Sequence, residues 1–150
     1  MARVLITDDT ADIRHLLSAL LVDEGHKVVV ANDGVKALEV MGTEAPDLLV
    51  LDIMMPNVDG YGVLSAMKDS GLIDDVKVLI LTAKSSEADW VRGYKMGADR
   101  YITKPFDGEE FLTSVKDLLG TSKDDLRALT SQELDKAQLL SRLETIFQDL

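Results

Sequence analysis

Apolar and polar positions along this chain fall into blocks whose period switches back and forth. Val4-Leu5-Ile6, Val28-Val29-Val30-Ala31 and Leu48-Leu49-Val50-Leu51 are short, unbroken apolar runs, and Val76 to Leu81 is nearly so. Such runs, bounded by turn residues, read as strands buried on both faces of a parallel sheet. Arg100-Tyr101-Ile102-Thr103 is a shorter last strand. Between the strands the spacing is helical. Ile13, Leu16, Leu17, Leu20 and Leu21 share one face up to Gly25, and Ala37, Leu38 and Met41 follow the turn Asn32-Asp33-Gly34 and end before Pro46. Three further helices are predicted, from about Tyr61 to Asp69, from about Glu87 to Met96, and from beyond Lys104-Pro105-Phe106-Asp107 to about Leu119, stopped at Gly71, Gly97 and Gly120. Strand and helix thus alternate five times over residues 1–120. The prediction is a doubly wound α/β domain, a five-stranded parallel sheet with helices on both faces and right-handed crossovers.

Residues 121–150 differ in character and form a helical C-terminal extension. Ser122-Lys123-Asp124-Asp125 and Thr130-Ser131-Gln132-Glu133 both have the spacing of a helix N-terminal capping arrangement. They predict a short helix carrying Leu126 and Leu129, then a longer amphipathic one. On the second, Leu139, Leu140, Leu143, Ile146, Phe147 and Leu150 fall within about a third of the circumference, with Leu134 on the opposite side. A stripe this apolar needs a cover, either its own domain or another chain in a homodimer.

Composition narrows the function. The formal charge of −11 sets the chain against nucleic acid and anionic membrane surfaces, and suits a protein that meets other proteins or a cation. No cysteine is present, so disulfides and thiolate metal sites are excluded. No apolar run approaches the length of a membrane span, and Met1-Ala2-Arg3 leads straight into a strand without a signal-peptide pattern, so a cytoplasmic protein is expected.

Chemistry collects at the strand ends. Asp8 and Asp9 follow the first strand, Asp52 the third, Thr82 the fourth and Lys104 the fifth. Any one could be a turn or cap residue. In a parallel sheet, however, these ends share one edge, where open α/β sheets keep their ligands. Three carboxylates there would raise one another's pKa unless a cation held them. An all-oxygen set without Cys or His points to Mg²⁺. Lys104 adds a fixed positive charge and Thr82 a hydroxyl, a combination that suits a carboxylate receiving a phosphoryl group by in-line attack.

Leu5-Ile6-Thr7-Asp8-Asp9, Asp47 to Pro56 with Asp59-Gly60, Leu81-Thr82-Ala83, Gly97-Ala98-Asp99 with Tyr101, and Thr103-Lys104-Pro105-Phe106 together resemble the receiver domain of two-component response regulators. The resemblance covers residues 1–120 and implies a CheY-like sheet of order 2-1-3-4-5. It implies Asp52 as the phospho-acceptor and Asp9 as a direct Mg²⁺ ligand, with Asp8 acting largely through water and the main-chain carbonyl of Met54 as a further ligand. Lys104 would pair with the phosphoryl group, its bond to Pro105 would be cis, and Ala83 would leave room for phosphate. Thr82 and Tyr101 would form the switch pair, altering a surface that includes Trp90 and Lys95. The implied partners are a histidine kinase or phosphotransfer protein as donor and a protein target as reader.

The chain departs from this pattern in two places. Arg100 stands where many transcription-factor receivers carry a second Asp, and Thr113-Ser114-Val115-Lys116-Asp117 replaces an Arg-rich stretch, so the charged dimer face of those proteins is not expected. The extension is acidic on balance and too short for a winged helix, which argues against direct DNA contact. Other readings are a receiver belonging to a longer regulator, a phosphorylation-independent dimerisation module, and a haloacid-dehalogenase-type phosphatase. The last places its nucleophile after the first strand in an Asp-x-Asp pattern, whereas here Asp8 and Asp9 are adjacent and Asp52 follows a later strand.

Overall fold

The computed structural model describes residues 1–149. Five strands, β1 (Arg3–Thr7), β2 (Lys27–Ala31), β3 (Leu48–Leu51), β4 (Lys77–Thr82) and β5 (Arg100–Thr103), pair in parallel in the order β2-β1-β3-β4-β5. Their register sets Thr7 beside Leu51 and Ala31, and Thr82 beside Thr103, so the carboxyl ends lie level along one edge. The helices are α1 (Ala11–Asp23), α2 (Gly34–Glu44), α3 (Gly60–Ser70), α4 (Glu87–Lys95), α5 (Gly108–Leu119) and α6 (Lys123–Gln148).

Alternation along each strand divides the core into two layers. Leu5, Leu49, Leu51, Val78 and Ile80 face α2 and α3, where Ala37, Met41, Leu64 and Met67 close over them. Val4, Ile6, Leu48, Val50, Leu79 and Leu81 face the other way, onto Leu17 and Leu21 of α1 and Phe111, Val115 and Leu118 of α5. Every residue of β3 is buried, and at about 2 kcal/mol for each large apolar side chain that central strand is a main anchor of the fold.

The helix starts carry their own signals. Asp33, Asp59, Ser86, Asp107 and Ser122 accept a hydrogen bond from a first-turn amide of α2, α3, α4, α5 and α6 respectively. A 3-10 turn at Leu72–Asp74, between α3 and β4, is not predicted by the pattern.

The extension departs from expectation. In place of a short helix and a longer one, α6 is a single helix of 26 residues. Its start at Ser122 is as predicted, but Thr130-Ser131-Gln132-Glu133 lies inside it. The reason is tertiary. Leu126, Thr130, Leu134, Ala137 and Ser141 recur at spacings of four, four, three and four, one stripe of a continuous helix, and this stripe faces the domain. Leu126 is buried in the layer with α1 and α5, and beyond it α6 packs on α4. A break at Thr130 would split that stripe. The apolar stripe read from the sequence lies on a different face: Leu139, Leu140, Leu143, Ile146 and Phe147 are all exposed, and Leu150 lies outside the described residues. No helix among the described residues is long and apolar enough to cross a membrane.

Arg100 turns inward to its own chain. Its guanidinium donates to the Ser114 hydroxyl at 3.4 Å and lies 3.9 Å from the Asp117 carboxylate, linking β5 to α5.

Candidate functional site: a carboxylate cluster at the strand ends

The sheet itself places the reactive side chains. The amide of Asp8 donates to the Ala31 carbonyl, that of Asp52 to Thr7 and that of Lys104 to Thr82, at 3.3, 3.0 and 2.8 Å. Each residue just beyond a strand is therefore still held by its neighbour's backbone. Asp8 and Asp52 are 2 % and 5 % exposed, whereas Asp9 is open to solvent. Carboxylate oxygens of Asp8, Asp9 and Asp52 all lie within 4.8 Å of one another. The Lys104 ammonium reaches between two of them, donating to Asp8 Oδ2 at 2.6 Å and to Asp52 Oδ2 at 2.9 Å. The Lys104–Pro105 peptide is cis, as expected.

Further contacts fix the two buried carboxylates. Asp8 Oδ1 accepts from the Thr10 amide at 2.9 Å, and Arg14 holds the Asp8 carbonyl at 2.7 Å. Asp52 Oδ1 accepts from the Met54 amide at 3.0 Å. The loop after Asp52 folds back through Gly60, whose amide donates to Ile53 at 2.9 Å. A Cβ at Gly60 would stand 2.6 Å from the Asp52 carbonyl oxygen, so only glycine fits there.

Burial pushes the Asp8 carboxyl above its ordinary range. The hydrogen bonds from Lys104 and Thr10 oppose that rise, and the charge of Asp52 adds to it. For Lys104 burial acts alone in the lowering direction, yet its hydrogen bonds to Asp8 and Asp52 outweigh it and hold the ammonium above its usual value. Three carboxylates against one ammonium (−3 + 1) leave a formal charge of −2. A divalent cation neutralises that charge, and an all-oxygen donor set suits a hard one. The residues present thus fit a Mg²⁺-type site.

Thr82 and Tyr101 stand apart from the cluster and meet at Lys84. Thr82 is fully buried at the end of β4, and its Oγ1 accepts from the Lys84 amide at 3.4 Å. The half-buried Tyr101 donates its hydroxyl to the Lys84 carbonyl at 2.6 Å, and burial raises its phenol pKa. The Met54 side chain and Ala83 are both exposed.

One group has no counterpart in the sequence reading. Tyr61 of α3 donates to Asp89 Oδ1 at 3.2 Å, Arg92 of α4 stacks 3.8 Å above the Tyr61 ring, and Lys84 lies 3.9 Å from Asp89. Tyr61 falls on the apolar face of α3 and reads as plain core. Its polar partners come from α4, which no local spacing could reveal.

The response regulator receiver domain family matches residues 4–116. Response regulator MprA of Mycobacterium leprae is 43 % identical over 123 residues, 82 % of this chain and 53 % of that protein. MprA of Mycobacterium ulcerans is 42 % identical over 121 residues, 81 % of this chain and 51 % of its own length. The chain therefore spans about half the length of these relatives. Among solved structures, a Francisella response regulator receiver domain superposes with a TM-score of 0.76 at 32 % identity, over 80 % of this chain and 98 % of that one. Chemotaxis protein CheY4 of Vibrio cholerae gives 0.74 at 30 %, over 79 % and 98 %. The match over most of the chain agrees with the strand order and with the carboxylates at its edge: this chain belongs to the response regulator receiver domain family.

Proposed function

We propose that Asp52 accepts a phosphoryl group from the phosphohistidine of a histidine kinase or phosphotransfer protein, and that a protein target reads the resulting state. The observation that carries this reading is the Lys104 ammonium bridging Asp8 and Asp52 beside a third carboxylate, Asp9. Asp52 presents a carboxylate oxygen to phosphorus in line with the scissile P–N bond. A P–O bond forms, the P–N bond breaks, and the imidazole leaves with the electron pair and a proton. Lys104 stays charged throughout and faces the phosphoryl oxygens as they draw near. Asp8, Asp9 and Asp52, with the Met54 carbonyl, are the groups that would hold Mg²⁺, which when bound offsets the charge on the transferring phosphoryl group. Thr82 supplies a hydroxyl for that group, and Tyr101 follows through Lys84.

Water hydrolyses the resulting acyl phosphate at the same site, breaking the P–O bond to Asp52 and releasing inorganic phosphate and the free carboxylate, so the domain acts on its own phosphorylation and not on external substrates. The net charge of −11 favours readout through protein over nucleic acid. The exposed apolar stripe of α6 suits a protein contact, a second copy among the candidates.

The test is intact mass after incubation with acetyl phosphate and Mg²⁺. One phosphoryl adduct is expected on the wild type and none on Asp52→Asn. Labelling that persists in the variant assigns the acceptor elsewhere.

A further inference from the structure

The helix α6 does more than trail from the domain. It starts at the edge of the sheet remote from the carboxylates and runs antiparallel to α4. Lys123, Arg127, Thr130 and Leu134 line a cavity with Tyr94 to Asp99. Further along, Leu134, Ala137, Gln138 and Ser141 line a groove with Glu87, Ala88 and Val91. As numbers rise along α6 they fall along α4. A helix of 26 residues is about 39 Å long against about 14 Å for α4, so α6 overshoots the start of α4. From Gln138 onward every described side chain is exposed.

The two halves of α6 are held by different means. The lower half is anchored by charge and core. The Lys123 ammonium lies 2.7 Å from Asp99 Oδ2, with both side chains largely buried, Arg127 pairs with Asp74, and Leu126 enters the core. Asp74 and Asp99 precede β4 and β5, far from the carboxylate cluster. Among the described residues, the upper half makes no ion pair to the domain. It faces Ala88 and Val91 through Leu134 and Ala137 across an open groove between α4 and α6.

That upper seat is tied to the phospho-acceptor's surroundings. The loop between β4 and α4 hangs on Lys84, whose amide donates to Thr82 Oγ1 and whose carbonyl accepts from Tyr101. Lys84 also lies beside Asp89, which belongs to the α4 cap through Ser86 Oγ at 2.7 Å. A phosphoryl group on Asp52 would offer the Thr82 hydroxyl a far stronger acceptor than it now has. The hydroxyl's move takes the Lys84 amide's partner away, so the loop and the first turn of α4 must rearrange. Glu87, Ala88 and Val91 then no longer match α6, while the anchors at Asp74 and Asp99 are untouched.

We propose that α6 is a built-in ligand of α4 whose upper half, from Leu134 onward, is released when Asp52 is phosphorylated, and that the docked helix opposes phosphoryl occupancy by the same factor. Release changes where the apolar stripe of Leu139, Leu143 and Phe147 is presented, while the base of α6 stays fixed. The inference rests on Asp52 being the acceptor.

The test uses the full chain with Mg²⁺ and beryllofluoride, which mimics the phosphoryl group, with occupancy read from bound fluoride by ¹⁹F NMR. Amide hydrogen exchange is expected to rise over residues 134–148 on binding and to stay unchanged over 123–130. Ala137→Glu, which spoils the seat, is expected to bind beryllofluoride about fivefold more tightly. Ala88→Glu, on the other wall of the groove, should shift affinity in the same direction. Full occupancy with unchanged exchange over 134–148, or unchanged affinity in both variants, overturns the coupling and leaves the acceptor assignment intact. No bound fluoride signal overturns the acceptor assignment, and the coupling with it.

Discussion

The Tyr101 hydroxyl donates to the main-chain carbonyl of Lys84 across 2.6 Å, so the last strand holds the loop that follows Thr82. Tyr101→Phe keeps the ring against Gly93 and deletes only this bond. A loss of about 1 kcal/mol is expected in urea unfolding, with faster amide exchange at residues 83–86. Unchanged exchange there would show that the loop is held by something else.

Asp99 is a carboxylate buried behind α6. Its Oδ2 accepts from the Val78 amide at 2.8 Å and from Lys123 at 2.7 Å. Lys123→Met leaves that carboxylate buried without its counter-charge, which costs about 3–5 kcal/mol. Adding Asp99→Asn to the same chain should recover part of the loss. Equilibrium denaturation of the single and double variants measures both, and purely additive effects would mean that the pair is not coupled.

Gly60 sits under Asp52. The Cβ of Gly60→Ala would meet the Asp52 carbonyl at 2.6 Å and the Ile53 Cα at 2.7 Å, both backbone atoms with nowhere to go. A loss of about 2 kcal/mol or more is expected, together with weaker Mg²⁺ binding, because the displaced strand end carries the carboxylate. Isothermal titration calorimetry of Mg²⁺ with the variant and the wild type reads the second effect.

The net negative cluster predicts metal stabilisation. At about 100 times its Kd, Mg²⁺ should stabilise the fold by about 2.7 kcal/mol, seen as a rise in Tm that EDTA reverses. Asp9→Asn removes an exposed ligand without disturbing the Lys104 bridge, and should remove most of that rise. A variant that responds as fully as the wild type excludes Asp9 as a ligand.

The hydrogen bond from the Ser86 hydroxyl holds the Asp89 carboxyl below its ordinary range, against a smaller opposing effect of burial, with Lys84 and Tyr61 adding to the lowering. A carboxyl lowered in the folded state contributes stability that is full above its unfolded pKa and is lost as pH falls through the folded one. Acid should therefore loosen the start of α4 only below the usual carboxylate range. Carbon-detected NMR titration of Asp89 should show a depressed midpoint that rises in Ser86→Ala; an unmoved midpoint would remove Ser86 as the cause.

Strand ends were legible in the sequence because the physics there is local. Leu48 to Leu51 must be buried whatever surrounds it, and a parallel sheet then aligns Asp8, Asp52, Thr82 and Lys104 at one edge. The continuity of α6 was not legible, because Thr130-Ser131-Gln132-Glu133 is a sound local start that the seat on α4 overrides. The role of Lys84 in tying the site to α4 was not legible either. Two of its three links run through main-chain atoms, which no side-chain identity announces. The Asp99–Lys123 pair was hidden for a different reason: it depends on how α6 returns past the β5 edge, which is set by packing and not by spacing.

The bridge from Lys104 to Asp8 joins residues 96 apart in sequence at 2.6 Å. Lys104 directly follows β5, the last strand of the sheet to be synthesised, and Asp8 directly follows β1, the first, so the counter-charge of Asp52 arrives only once β5 has docked. A nascent or partly unfolded chain carries Asp52 without its lysine. Competence for signalling is in this way a readout of completed folding: until the final strand is in place, the site lacks the ammonium that Lys104 brings to Asp8 and Asp52.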